Sequence, residues 1–186
     1  MARQILITGG TSGIGAGIAA AFAAQGDQVT VTGATATEVE TAAGRAGTTA
    51  QVLDVRDGAA VQALVADLVA NHGPLDVVVN CAGVIRRGAE HDPVAFADTV
   101  DINLNGTMRV CAAARPALAA RRGCIINTAS MLSFFGGGLV PGYSASKGGV
   151  AQLTKSLAIA YAADGIRVNA VAPGWIATPL TQALQD

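Results

Sequence analysis

The chain has 186 residues, 51% hydrophobic but only 4% aromatic, so its core must be built from Ala, Val, Leu and Ile within one domain's length. Twelve basic against thirteen acidic residues give a net charge of -1, with no basic run or acidic tail, which argues against nucleic-acid binding by phosphate neutralisation. Cys81, Cys111 and Cys124 are odd in number and lack CxxC spacing; this argues against a disulfide framework and a metal site, and fits free thiols in a reducing cytoplasm. The first apolar run meets Gly9 too early for a signal peptide or a membrane span.

In chain order, short Val- and Ile-rich runs at 5–8, 29–32, 50–53, 76–80, 124–128 and 166–171 read as strands buried on both faces, as in parallel sheets. Longer stretches between them carry helical period. Val61, Leu64, Val65, Leu68 and Val69 make one apolar stripe, with Asp57 as its N-cap and Gly73-Pro74 as its stop. Asp92-Pro93 opens a long helix over 94–118, and another runs over 143–163. The alternation predicts an α/β fold, a doubly wound parallel sheet of Rossmann-like type with ligands at the carboxyl ends of its strands.

The first strand runs into Thr8-Gly-Gly-Thr-Ser-Gly-Ile-Gly15, a GxxxGxG turn before an Ala-rich helix. Glycines there let the backbone approach a pyrophosphate at a helix N-terminus. No GK[ST] follows, which argues against a P-loop, and no GxSxG offers a serine nucleophile. Tyr143 and Lys147 stand four apart, hence on one helix face. A free phenol titrates at about 10, and a neighbouring ammonium is expected to lower that value. Ser130, just past a strand, is placed to hydrogen-bond a reacting oxygen.

Together with Asn80-Cys-Ala-Gly83 and Pro173-Gly174, these motifs occur in an order that resembles the short-chain dehydrogenase/reductase family over nearly the whole chain; Cys81 replaces the second Asn of the family's NNAG. The resemblance implies an oxidoreductase that interconverts a secondary alcohol and a ketone, with sheet order 3-2-1-4-5-6. It implies a catalytic tetrad of Asn103, Ser130, Tyr143 and Lys147, with Tyr143 as general acid/base. For the cofactor it implies Gly9, Thr11, Ser12, Gly13, Ile14 and Gly15 at the turn, and Asp54 and Val55 at the adenine. Asn80, Ala82 and Gly83 follow at the fourth strand, with Tyr143 and Lys147 at the ribose and Pro173, Gly174, Ile176 and Thr178 at the nicotinamide.

Ser12 and the neutral 33–37 segment offer no cation to a 2′-phosphate, which favours NAD over NADP, although the usual acid at the end of the second strand is also missing. The segments Ala82-Gly-Val-Ile-Arg-Arg87 and 129–136 resemble sugar-acid 5-dehydrogenases, and Arg86 or Arg87 is expected to attract a substrate carboxylate. Family members are commonly homodimers or homotetramers, and neither a membrane nor nucleic acid is expected as a partner. The reading takes 1–186 as one dinucleotide-binding domain lacking the usual seventh strand and C-terminal substrate-covering segment. The alternatives are a dinucleotide-binding protein without turnover, because that segment is missing, and a related epimerase or dehydratase.

Overall fold

Six parallel strands form one sheet in the order β3-β2-β1-β4-β5-β6 in the computed structural model, which describes residues 2–184. The strands are β1 (Gln4–Thr8), β2 (Gln28–Gly33), β3 (Thr48–Val52), β4 (Val77–Asn80), β5 (Cys124–Thr128) and β6 (Arg167–Val171). The expected order is therefore observed, with strand bounds within two residues of the sequence reading. The central strands β1 and β4 are buried along their whole length, because helices cover both faces.

The pleat divides the apolar side chains between two cores. Leu6, Val78, Ile125 and Val168 face one side, where they meet α3 (Gly58–His72), α5 (Gly106–Ala119) and α6 (Pro141–Ala160). Ile5, Ile7, Val29, Val31, Val77 and Val79 face the other, against Ala19, Ile18 and Phe22 of α1 (Gly13–Ala23). Each fully buried Val, Leu or Ile is worth about 2 kcal/mol over an exposed one. A short α2 (Ala36–Ala42) connects β2 to β3.

The caps follow the sequence reading. Asp57 accepts the amides of Ala59 and Ala60 at 2.9 and 3.0 Å, and Asp92 those of Val94 and Ala95 at 2.9 and 3.1 Å. The long helix expected over 94–118 is present as an unbroken helical run, but its geometry changes part-way along. It is α4 (Pro93–Val100) and α5, joined by a π-helical turn at Asp101–Asn105. That widened turn seats Asn103 inward, fully buried. The helix expected to start at residue 143 begins two residues earlier, at Pro141.

The strand registers bring Thr8, Asn80 and Asn127 into one row at the carboxyl edge. Their side chains form a buried polar ladder: Asn80 donates to Asn127 at 2.9 Å, and Asn127 donates to Thr154 of α6 at 2.9 Å. Buried amides without partners would cost more than the ladder gains, so these residues fix β4, β5 and α6 to one another.

Candidate active site

A cleft of about 430 Å³ lies along the carboxyl edge of the sheet. Its floor is the glycine-rich turn. Gly9 and Gly13 have φ of 64° and 52°, a region that disfavours side chains. A Cβ on Gly9 would stand 2.6 Å from the backbone nitrogen of Ala82, so only glycine lets the turn pass β4 this closely. Ser12 caps α1 in extended backbone with its hydroxyl uncommitted to the helix. The amides of the first turn of α1 thus have no intrahelical partner, and the turn makes a backbone cradle for an anion.

Most of the expected positions meet around this cleft. Gly9, Thr11, Ser12, Gly13, Ile14 and Gly15 line one end; Asp54 and Val55 line the side past β3. Ala82, Gly83, Ser130, Tyr143 and Lys147 line the other end, with Pro173, Gly174, Ile176 and Thr178 opposite. Asn80 and Asn103 do not line it. Asn80 is committed to the ladder behind the wall. Asn103 holds the strand-end loop instead, accepting from the Val84 amide at 2.8 Å and donating to the Val84 carbonyl and Ser146 hydroxyl at 3.0 Å each. Asn105, its sequence neighbour, is exposed and bonds Asp101.

The Lys147 ammonium is buried, donates to the Thr128 carbonyl at 2.6 Å, and lies 5.6 Å from the Tyr143 ring centre. Burial brings its pKa down to about 8. The Tyr143 phenol is pushed up, mainly by burial; hydrogen bonding with Ser130 opposes the rise and the negative charge of Glu90 adds to it. The expected lowering of Tyr143 by Lys147 is therefore absent, because the ammonium is turned to a backbone carbonyl. Ser130 Oγ accepts from the Leu132 amide at 3.2 Å, fixing the serine at the head of a 3-10 turn, Met131–Ser133. Phe134, Phe135 and Trp175 are exposed in the segments that follow Ser130 and Gly174.

Three acids, Asp98, Asp54 and Glu38, bear on the sequence reading. Arg86 does not await a carboxylate: its guanidinium pairs with Asp98 at 2.6 Å and donates to Thr99 at 3.1 Å. Arg87 is exposed and does not line the cleft. Asp54 accepts from Arg56 on both carboxylate oxygens, which holds its carboxyl below the usual range. An acid does stand at the end of β2. Glu38, on the first turn of α2, reaches back to the Ala34 amide at 2.6 Å, and its carboxylate lines the cleft beside Gly33 and Thr11. Thr35-x-x-Glu38 is a capping-box spacing, the signal that could have found it. Cys81, half-buried in the cleft wall, contacts the Thr128 hydroxyl at 3.3 Å, and burial raises its thiol.

A parallel sheet in this order, with a glycine-rich turn at the point where strand order reverses, defines a dinucleotide-binding protein of Rossmann type. More particularly, the chain belongs to the short chain dehydrogenase family, which it matches over residues 3–186, and it is an NAD(P)-dependent oxidoreductase. It is 41% identical to 2-dehydro-3-deoxy-D-gluconate 5-dehydrogenase of Bacillus subtilis (strain 168), covering 99% of this chain and 75% of that protein. It is 42% identical to the monensin polyketide synthase putative ketoacyl reductase of Streptomyces virginiae, over 99% of this chain and 74% of the relative. Among solved structures, actinorhodin polyketide ketoreductase (F189W) with NADPH superposes with a TM-score of 0.92 at 36% identity, over 99% of this chain and 74% of that one. Among the described residues, no helix is long and apolar enough to cross a membrane.

Proposed function

We propose that the chain interconverts a secondary alcohol and a ketone with Tyr143 as the group that moves the hydroxyl proton. The observation that carries this is the convergence of Ser130, Tyr143 and Lys147 at one end of a cleft whose other end is an anion cradle. The cradle fits a dinucleotide: two glycines with positive φ, a helix N-terminus and an unoccupied Ser12 hydroxyl suit a pyrophosphate. When bound, the nicotinamide dinucleotide accepts or supplies the hydride.

The chain's own residues handle the rest. In the oxidising direction the ionised Tyr143 oxygen takes the alcohol proton. Ser130 donates to the same substrate oxygen and steadies the charge it carries as the carbonyl forms. Lys147 lies beside the phenol, 5.6 Å from the Tyr143 ring centre, with its ammonium donated to the Thr128 carbonyl, so that it holds the strand end and the head of α6 together at the reacting end of the cleft. Asn103 keeps the Val84 backbone and Ser146 in register beneath them.

NAD is the favoured dinucleotide. The Glu38 carboxylate at the end of β2 can accept from a ribose hydroxyl and would repel a 2′-phosphate. Arg56, the nearby cation, is already held by Asp54 and Asp98. A sugar acid is the favoured substrate class, supported by the dehydrogenase relative above and by 2-keto-3-deoxy-L-fuconate dehydrogenase of Xanthomonas campestris pv. campestris at 39% identity. Three free cysteines suit a reducing, cytoplasmic setting, and self-association into dimers or tetramers is part of the same reading. The test is reduction of NAD and NADP in the presence of sugar acids, hydroxyacyl thioesters and simple secondary alcohols. Turnover with any of them supports the reading. Cofactor binding with no turnover across the panel replaces it with a dinucleotide-binding protein.

A further inference from the structure

Glu90 is the most completely buried acid of the described residues, with 1% of its surface exposed, and it does not line the cleft. It stands on a 3-10 turn, Ala89–His91, between the loop after β4 and the first residues of α6. Both carboxylate oxygens are used. Oε1 accepts from the Arg86 amide at 2.7 Å, and Oε2 accepts from the Tyr143 amide at 2.7 Å. Pro141 and Gly142 precede Tyr143 in α6, so the Tyr143 amide belongs to the first turn and has no partner within its helix. Gly142 is where the contact is made possible: a Cβ there would stand 3.2 Å from Glu90 Oε2 and 3.3 Å from the Phe96 Cα.

The two loops that Glu90 joins are tied at further points. Gly88 donates to the Leu139 carbonyl at 2.8 Å, and the His91 ring nitrogen lies 2.9 Å from the Gly138 carbonyl. Those bonds sit at the exposed rim; the Glu90 pair sits inside and ends on the backbone of the proposed acid/base residue. A buried carboxylate is costly unless its lone pairs are filled, and a neutral side chain would close the same gap more cheaply.

We infer that Glu90 is a positioning residue for Tyr143, its carboxylate pinning the head of α6 to the loop after β4 and so placing the phenol at the cleft. The inference rests on the role proposed above for Tyr143. Glu90 acts on the phenol in two ways, by place and by charge. The charged groups around Tyr143 are few: Glu90 from the turn and Lys147 from one helical turn further on. On α4, Asp92 caps its own helix and Asp98 is paired with Arg56 and Arg86; Ser130 and Cys81 come from the strand ends. Glu90's charge disfavours the phenolate, so removing that charge lowers the pH at which Tyr143 ionises.

The experiment follows phenolate formation by near-ultraviolet difference absorbance. The Tyr161→Phe background leaves Tyr143 as the sole tyrosine of the two. Glu90→Gln in that background should lower the midpoint by about 0.5 to 1 pH unit, while Glu90→Asp, which keeps the charge, should stay within about 0.3 of the parent. With an alcohol found in the substrate panel, the acid limb of kcat for oxidation should move down with the midpoint. NADH affinity should stay within about twofold, because Glu90 does not touch the cleft. An unmoved midpoint in Glu90→Gln, or an equal fall in Glu90→Asp, overturns the inference. Amide hydrogen exchange in the unaltered protein reads the same bonds without a variant: slow exchange at both Arg86 and Tyr143 is expected, and fast exchange at either overturns it. If no substrate is found but the phenol titrates as stated, the catalytic reading fails and the positioning by Glu90 stands.

Discussion

Substituting Glu38 with Gln isolates one charge. The Gln oxygen can still accept the Ala34 amide, which now meets a carboxylate at 2.6 Å, so the head of α2 keeps its cap. Only the negative charge beside Gly33 and Thr11 is lost. Two unit charges about 6 Å apart interact by about 3 kcal/mol at an effective dielectric of about 20, and by about 0.7 kcal/mol in bulk water. Glu38 is exposed, so the lower part of that range applies. A 2′-phosphate carrying between one and two charges is then relieved of about 1 to 1.5 kcal/mol, which is about a tenfold change in affinity. The expected result is NADPH binding about tenfold tighter to Glu38→Gln than to the parent. NADH binding should weaken by no more than about threefold, through one lost charge-assisted bond. Titration of reduced-nicotinamide fluorescence at low ionic strength measures both, and the gap should shrink with added salt. A ratio of the two affinities that stays within about twofold of the parent's would refute the role given to Glu38.

The remaining predictions concern Lys147 and Gly9. Burial holds Lys147 at about 8, below its ordinary 10.5, so the unfolded chain keeps the proton that the folded one sheds, and stability attributable to this group rises as pH climbs between those values. Lys147→Met removes that dependence; denaturant unfolding should show the parent gaining on the variant by about 1.5 kcal/mol from about pH 8 to 9.5, and a flat difference would contradict the burial of the ammonium. Gly9→Ala forces a Cβ to within 2.6 Å of the Ala82 nitrogen at a φ of 64°, so dinucleotide affinity should fall by more than about tenfold in the fluorescence titration, and unchanged affinity would remove the cradle.

Much of this architecture is visible in the amino-acid order because its signals are local. Six short apolar runs, each with Gly, Asp or Asn at or next to at least one end, are enough to place β1 to β6, and Asp57 and Asp92 announce their helices by side-chain chemistry alone. Tyr143 and Lys147 are legible because helix geometry sets their spacing. What escaped depends on distance in the chain. Glu90 meets Tyr143 across 53 positions, and Arg86 loses its freedom to Asp98 through the packing of α4, which no periodicity records. The π-helical turn at Asp101–Asn105 escaped for another reason: no residue type marks the one extra residue of such a turn, and the apolar periods on its two sides each still read as helix. The direction of the Tyr143 shift was misread because adjacency to an ammonium was counted and burial was not.

The central claim, that Tyr143 moves the proton in an alcohol–ketone interconversion, is tested most directly by comparing the parent with Tyr143→Phe at a saturating alcohol from the panel. Phe keeps the ring that lies 5.6 Å from Lys147 and removes only the oxygen. The account requires that the variant still bind NADH, and that its kcat be lower by about 10²- to 10⁴-fold. A variant that binds the cofactor and turns over at the parent's rate would contradict it.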